Sequence, residues 1–249
     1  QYLQAVVVPM QNHEGNPRIL LIISDLTDLR RLEITRKEFV SNASHELRTP
    51  LSAIKAAVET LRLKILNDPE TRIDFIDRIN EDIDRMDVLI QELLELSKLE
   101  SGDVSMNFQK ISLGNFFGKI SARFTPIAKE IGISVITPDL GNISPLYGDS
   151  DKLERALANL ISNALVATNK GGEITLFATE SSENVFEISV SDNGHGISDQ
   201  HLPHIFERFY RIDAARSSGA GTGLGLAIVK HIAQAHDGDV YVESSVGEG

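Results

Sequence analysis

No cysteine occurs in the 249 residues, which removes disulfides, thiolate zinc sites and cysteine nucleophiles in one step. That absence suits a reducing compartment. No apolar run approaches the ~20 residues of a membrane-spanning helix, and no signal peptide is visible. Positive charge is scarce as well: 24 Lys and Arg stand against 36 Asp and Glu, a formal net charge of −12, with no basic cluster to offset it. A nucleic-acid-binding surface is thereby excluded. What remains is an ordinary globular balance, 41% hydrophobic and 24% charged, long enough for one large or two modest domains. The opening residues read as the interior of a domain, so the chain is expected to be a cytoplasmic fragment. Any membrane contact of the full-length protein is expected only through segments absent from it.

The most informative stretch is FVSNASHELRTPLSAIK, around His45. Val40, Leu47, Leu51, Ile54, Val58, Leu61 and Ile65 recur in steps of three and four, a helix with one apolar stripe. His45 lies one position off that stripe, at an edge open to solvent. A free imidazole titrates at about 6.5, so its neutral form is a usable nucleophile near neutral pH. Glu46 can accept the proton of the other ring nitrogen, and Thr49, four residues on, shares the His45 face and can place a water there. Pro50 invites a kink just past the histidine. A zinc-protease helix is excluded, because Thr49 stands where a second histidine is needed. The run SHELRTPL resembles the H-box of two-component sensor histidine kinases.

Upstream, residues 3–9 and 19–24 are β-branched runs separated by a turn-rich insert, a strand, loop and strand. RILLIISDLTDLRRLE resembles the last strand of a PAS sensor domain and the helix that leaves it. That helix begins near Leu26 and carries Leu29, Leu32 and Phe39 in a register one residue off the Val40 stripe, a stutter-like irregularity. The phospho-acceptor helix runs to about Leu66. Asp68 then caps a second helix with Pro69 at its first position. Ile76, Ile79, Ile83, Met86, Ile90 and Leu93 form its stripe, and Gly102 ends it. Two such helices cannot bury both stripes as a lone hairpin, so a homodimeric four-helix bundle is predicted. After Gly102 the spacing predicts strands in VSMNFQKISL, ISVIT and NISPLYG, a helix capped by Ser112, a helix over 149–168, a hairpin of EITLFATE with NVFEISVSD, a helix over 224–235, and a last strand DVYVES. Helices separated by mostly antiparallel strands indicate an α/β sandwich.

Four motifs in this second part carry chemistry. Asn159 and Asn163 sit at i and i+4 of one helix face, where amide oxygens can complete the shell of a phosphate-bound Mg²⁺. Asp192, in the turn DNGHGI after a strand, can accept a hydrogen bond from an adenine amino group, with Gly194 and Gly196 letting backbone approach the base. In IFERFYR, Phe206 and Phe209 are expected in the core, and Arg211 can reach a γ-phosphate. Gly221-Thr222-Gly223-Leu224-Gly225 opens a helix and forms an anion cradle, preceded by a lid over 216–220. It is not a Walker A loop, since no lysine follows the glycines. His201 with His204, and His231 with His236, lack the further ligands of a metal site.

In this order the motifs resemble the N, G1, F and G2 boxes of the GHKL ATP-binding fold. With the H-box, the resemblance covers roughly residues 30–249 and leans towards the phosphate-regulon sensor branch. It implies three parts: a PAS remnant (1–25), a signal helix with a dimerisation and histidine-phosphotransfer domain (26–102), and a catalytic ATP-binding domain (103–249) whose last strand is absent. It further implies ATP and Mg²⁺ as cofactors, Asn163 as metal ligand, autophosphorylation of His45 and transfer to an aspartate of a response regulator. Thr49 in H-E-x-x-T resembles the motif of kinases that also dephosphorylate the regulator. Where the family carries NAxKY, this chain has Val166 and Ala167, which removes a phosphate contact and an adenine-packing ring. Two rivals follow: a pseudokinase or phosphatase-biased dimeric scaffold, and a clamp-type ATPase needing a water-activating glutamate. Glu154 lies five residues before Asn159, off its face, and does not supply that glutamate.

Overall fold

The computed structural model describes residues 2–11, 17–62, 68–101, 105–141, 143–182, 185–212 and 221–249. Ile65, Asn67, Gly102 and the lid 216–220 lie outside the described residues. The chain divides into two compact units, residues 1–83 and 84–249.

In the first unit, strands β1 (Leu3–Gln11) and β2 (Pro17–Asp25) pair antiparallel in an unbroken register from Leu3 with Asp25 to Gln11 with Pro17. Helix α1 (Thr27–Arg62) follows at once. The junction is tied three times: Leu26 N donates to Tyr2 O (2.8 Å), Tyr2 N to Thr27 Oγ1 (2.8 Å), and Thr27 N to Asp25 Oδ1 (2.9 Å). Helix α1 is continuous across the register change at Val40 and stays helical through Pro50. Helix α2 (Pro69–Ser101) starts as its sequence dictates: Asp68 accepts from Thr71 N (3.1 Å) and Thr71 Oγ1 (2.7 Å), with Pro69 at the first helical position.

In the second unit the sheet is β4 (Ser134–Ile136), β6 (Glu173–Ser182) and β7 (Val185–Asp192), in that order. Strand β4 runs parallel to β6, and β6 antiparallel to β7. A separate antiparallel pair joins β3 (Phe108–Ile111) to β5 (Leu146–Asp149). Helices α3 (Leu113–Glu130) and α4 (Ser150–Ala167) lie on the sheet; Leu113, Phe116, Phe117, Ile120 and Phe124 of α3 meet Leu157 and Ile161 of α4 and Leu176 and Ala178 of β6. Helix α5 (Gly225–Ala235) is buried through Ala227, Ile228, Val229 and Ile232.

Three sequence expectations fail in detail. Ser112 precedes α3 with extended backbone but makes no side-chain cap; its carbonyl takes Phe116 N instead (2.9 Å). DVYVES forms no strand, because a strand exists only where its edge finds a ladder partner, and among the described residues this edge meets none. Phe206 and Phe209 are half-buried rather than core.

Candidate nucleotide and phospho-acceptor sites

His45 is exposed on α1, as a residue one step off the apolar stripe must be, while the neighbouring Glu46 and Leu47 are half-buried. Thr49 is exposed, and its hydroxyl donates to the His45 carbonyl (3.3 Å), so its proton is held by the helix backbone. Along the stripe Val40 is 58% exposed and Leu51 56%.

Helix α4 is tied to the start of α5 through Asn159 and Gly225, and its last residue, Ala167, to the turn after Asp192 through His195. Asp149 caps α4 by accepting Asp151 N and Lys152 N, both at 3.1 Å, and also takes Asn107 N at 2.8 Å. One face of α4 carries Asn159 and Asn163. The Asn159 amide donates to Gly225 O (3.1 Å), which fastens α4 to the first residue of α5; Asn163 is exposed. Asp192 closes β7, and its Oδ1 accepts Gly194 N (2.9 Å). Gly194 is required by packing: a Cβ there meets the Ala167 carbonyl at 2.5 Å and Asp192 Oδ1 at 2.6 Å. At Gly196, with φ +66, an added Cβ would collide with the Ser245 carbonyl. Both glycines let neighbouring backbone of the chain approach closely. Asn193, just before Gly194, completes the β6 end by taking Glu173 N on its side-chain oxygen (2.8 Å).

Thr222 is buried and Gly223 has φ +75; a Cβ at Gly223 lies 2.7 Å from the Phe209 carbonyl carbon. Phe209, itself at φ 63, donates its N–H to Gly223 O (2.8 Å), which locks IFERFYR onto the Gly-rich turn and leaves Arg211 half-buried beside it. Leu224 N donates to Thr222 Oγ1 (3.2 Å). Gly221 is exposed with open space around it. A glycine-shaped turn at the start of an 11-residue helix, with Asn159 and Asn163 alongside, fits a triphosphate with its cation. Val166 is exposed and Ala167 uses its carbonyl on His195 N (3.2 Å). Glu154 is paired with Lys119 (2.7 Å) and Arg123 (3.6 Å) of α3.

One residue escaped the sequence reading. Glu92 of α2 is only 8% exposed, between the buried Leu89 and Leu96, and Thr222 Oγ1 donates to its Oε2. Burial pushes the Glu92 carboxyl up; the Thr222 hydroxyl and the Arg155 guanidinium pull it down, and Glu95 adds to the rise. The signal was present in VLIQELLELS, apolar on almost every side, which marks a helix stretch covered on more than one face.

Comparison with known proteins bears on both halves. Residues 35–102 match the His Kinase A (phospho-acceptor) domain, and residues 148–249 the Histidine kinase-, DNA gyrase B-, and HSP90-like ATPase. A phospho-acceptor helical region is thus followed by an ATPase-type α/β domain. The sensor histidine kinase WalK of Bacillus subtilis is 37% identical over 97% of this chain and 40% of its own length. The sensor-like histidine kinase SenX3 of Mycobacterium tuberculosis is 36% identical over 92% of this chain and 56% of its own. The chain therefore spans about half the length of these relatives. The fold is shared with histidine kinase ThkA, solved in complex with response regulator protein TrrA (TM-score 0.66, 23% identity, 97% of this chain and 71% of that one). It is shared too with Acinetobacter baumannii histidine kinase AdeS (TM-score 0.65, 22% identity, 82% and 92%). The chain belongs to the two-component sensor histidine kinases.

Proposed function

We propose that this chain autophosphorylates His45 from Mg-ATP and passes the phosphoryl group to an aspartate of a response-regulator receiver domain. The observation that carries this is the pairing, in one chain, of an exposed His45 on α1 with a glycine-shaped turn that opens α5 and is fastened to Asn159 of α4. Asp192 takes the adenine amino group, and Asn163, assisted by Asn159, holds Mg²⁺. Gly194, Gly196 and the turn from Gly221 to Gly225 hold the nucleotide. A ring nitrogen of His45 attacks the γ-phosphorus; the N–P bond forms as the bond to the β,γ-bridging oxygen breaks, and ADP leaves. Glu46 accepts the other imidazole proton, and Arg211 offsets charge on the transferring group. Mg²⁺ supplies charge neutralisation at the phosphates.

The exposed apolar stripes support homodimerisation into a four-helix bundle: besides Val40 and Leu51, Ile76 is 49% and Ile83 45% exposed. Residues 1–25 are assigned to the end of a PAS sensor domain, 26–102 to the signal and phosphotransfer helices, and 103–249 to the catalytic domain. The Thr49 oxygen supports dephosphorylation of the regulator by the same helix. No described helix is long and apolar enough to cross a membrane; the chain is assigned to the cytoplasmic side, with any anchor outside it.

The test is incubation with γ-labelled Mg-ATP, alongside His45→Ala. Acid-labile, base-stable label on the parent and none on the variant is expected. Label retained on the variant places the nucleophile elsewhere; no label on either, with ATP bound, overturns the kinase reading.

A further inference from the structure

Three carboxylates of α2 clasp the α/β body. Glu95 meets Arg155 (3.1 Å) and Lys152 (3.6 Å) of α4; Glu100 meets Arg208 (2.7 Å) within IFERFYR and His231 of α5 (3.5 Å). Glu92 differs from both, because its partner is the hydroxyl of the Gly-rich turn itself. The bonds run in series: Leu224 N–H donates to Thr222 Oγ1, and Thr222 O–H donates to Glu92. Leu224 precedes the first residue of α5, where backbone N–H groups and the helix dipole attract an anion. That position is already answered, through one hydroxyl, by a carboxylate of the chain's own.

We propose that Glu92 is an autoinhibitory latch: it stands in for a phosphate at the head of α5, so that nucleotide binding must release Thr222 from α2. This rests on the reading of that turn as the triphosphate site. Two features fit a latch better than a permanent strut. Glu92 has a hydroxyl as its hydrogen-bonding partner, whereas Glu95 and Glu100 have full cations. It also sits sealed between Leu89 (3% exposed) and Leu96 (0%), where an ionised carboxylate is costly and its release to water is favourable. Nucleotide phosphates and the Glu92 carboxylate compete for one hydroxyl and one helix terminus; like charges there exclude each other.

The experiment is a fluorescence titration of trinitrophenyl-ATP with Mg²⁺ into the parent chain, Glu92→Gln and Glu95→Gln, with circular dichroism to confirm folding. Gln keeps the shape and removes the charge. Glu92→Gln is expected to lower Kd by about fivefold or more, the lower end of coupling between linked sites. Glu95→Gln loses cation contacts without touching the turn and is expected to shift Kd by less than about twofold, as for a partly exposed ion pair. Equal Kd in parent and Glu92→Gln overturns the latch and leaves the nucleotide site standing. A raised Kd in Glu92→Gln overturns it too, making Glu92 a support of the turn. An equal gain in Glu95→Gln assigns the effect to general loosening of α2 and overturns the latch. Binding by neither parent nor Glu92→Gln brings down both the latch and the nucleotide site.

Discussion

Two carboxyl groups in the second unit are hidden almost equally, Asp149 at 5% exposure and Glu92 at 8%, yet their affinities for a proton are shifted in opposite directions. Burial alone raises both. At the head of α4, backbone N–H groups of Asn107, Lys152 and Asp151 outweigh it, with Lys152 adding its charge, and Asp149 is held below the ordinary carboxylate range. On α2, one hydroxyl and a nearby guanidinium do not suffice, and Glu92 is held above it. The surroundings, donor by donor, decide what a buried acid is for. One is a fixture of the fold; the other is a strained contact that a competing anion can relieve.

The strongest way to break this contrast is Asp149→Ala. It strips three N–H groups of their acceptor, and a loss of about 2–3 kcal/mol in urea-unfolding stability at neutral pH is expected from a lost cap plus orphaned donors. Asp149→Asn keeps an acceptor and sharpens the comparison through pH. A depressed folded value means the stabilisation is complete above about 3.9 and is lost as pH falls through the lowered value. The parent's advantage over Asp149→Asn should therefore vanish in acid, read from urea midpoints between neutral pH and strong acid. Glu92→Gln should show the opposite sign. The folded state binds the Glu92 proton more tightly, so the parent gains on the variant as pH falls towards about 4.3. Near neutral pH the variant should be as stable or up to about 1 kcal/mol more so. The smallest effect belongs to Glu154→Gln, whose partners Lys119 and Arg123 are both exposed; its urea midpoint should match the parent's within scatter.

The contrast also shows what was legible in the sequence. Elements with a local cause were read directly. Asp68 before Pro69, the Asn159–Asn163 face and the β6–β7 hairpin follow from spacing within a few residues. Asp192 closes a strand and Gly225 opens a helix, as their types favour. What escaped depends on partners far along the chain. Glu92 reaches Thr222 across 130 residues; the apolar run around Leu89 and Leu96 marks a second covered face on α2 but does not name the partner that covers it. The reason for Gly194 was likewise non-local, since the Ala167 carbonyl that fills its space arrives from the end of α4. DVYVES shows the converse: a strand pattern without a neighbouring edge does not make a strand.

The tied junction at Asp25, Leu26 and Thr27 has a mechanical meaning. Hydrogen bonds hold the single residue between β2 and α1 to both, so the hairpin's orientation is coupled to the first turn of α1. From Thr27 the unbroken helix carries it eighteen residues to His45, a shaft of ~27 Å at 1.5 Å per residue. Lengthening that junction by a single residue turns His45 by ~100° about the shaft relative to the hairpin, which makes the angular setting of the histidine a property fixed at the far end of the helix.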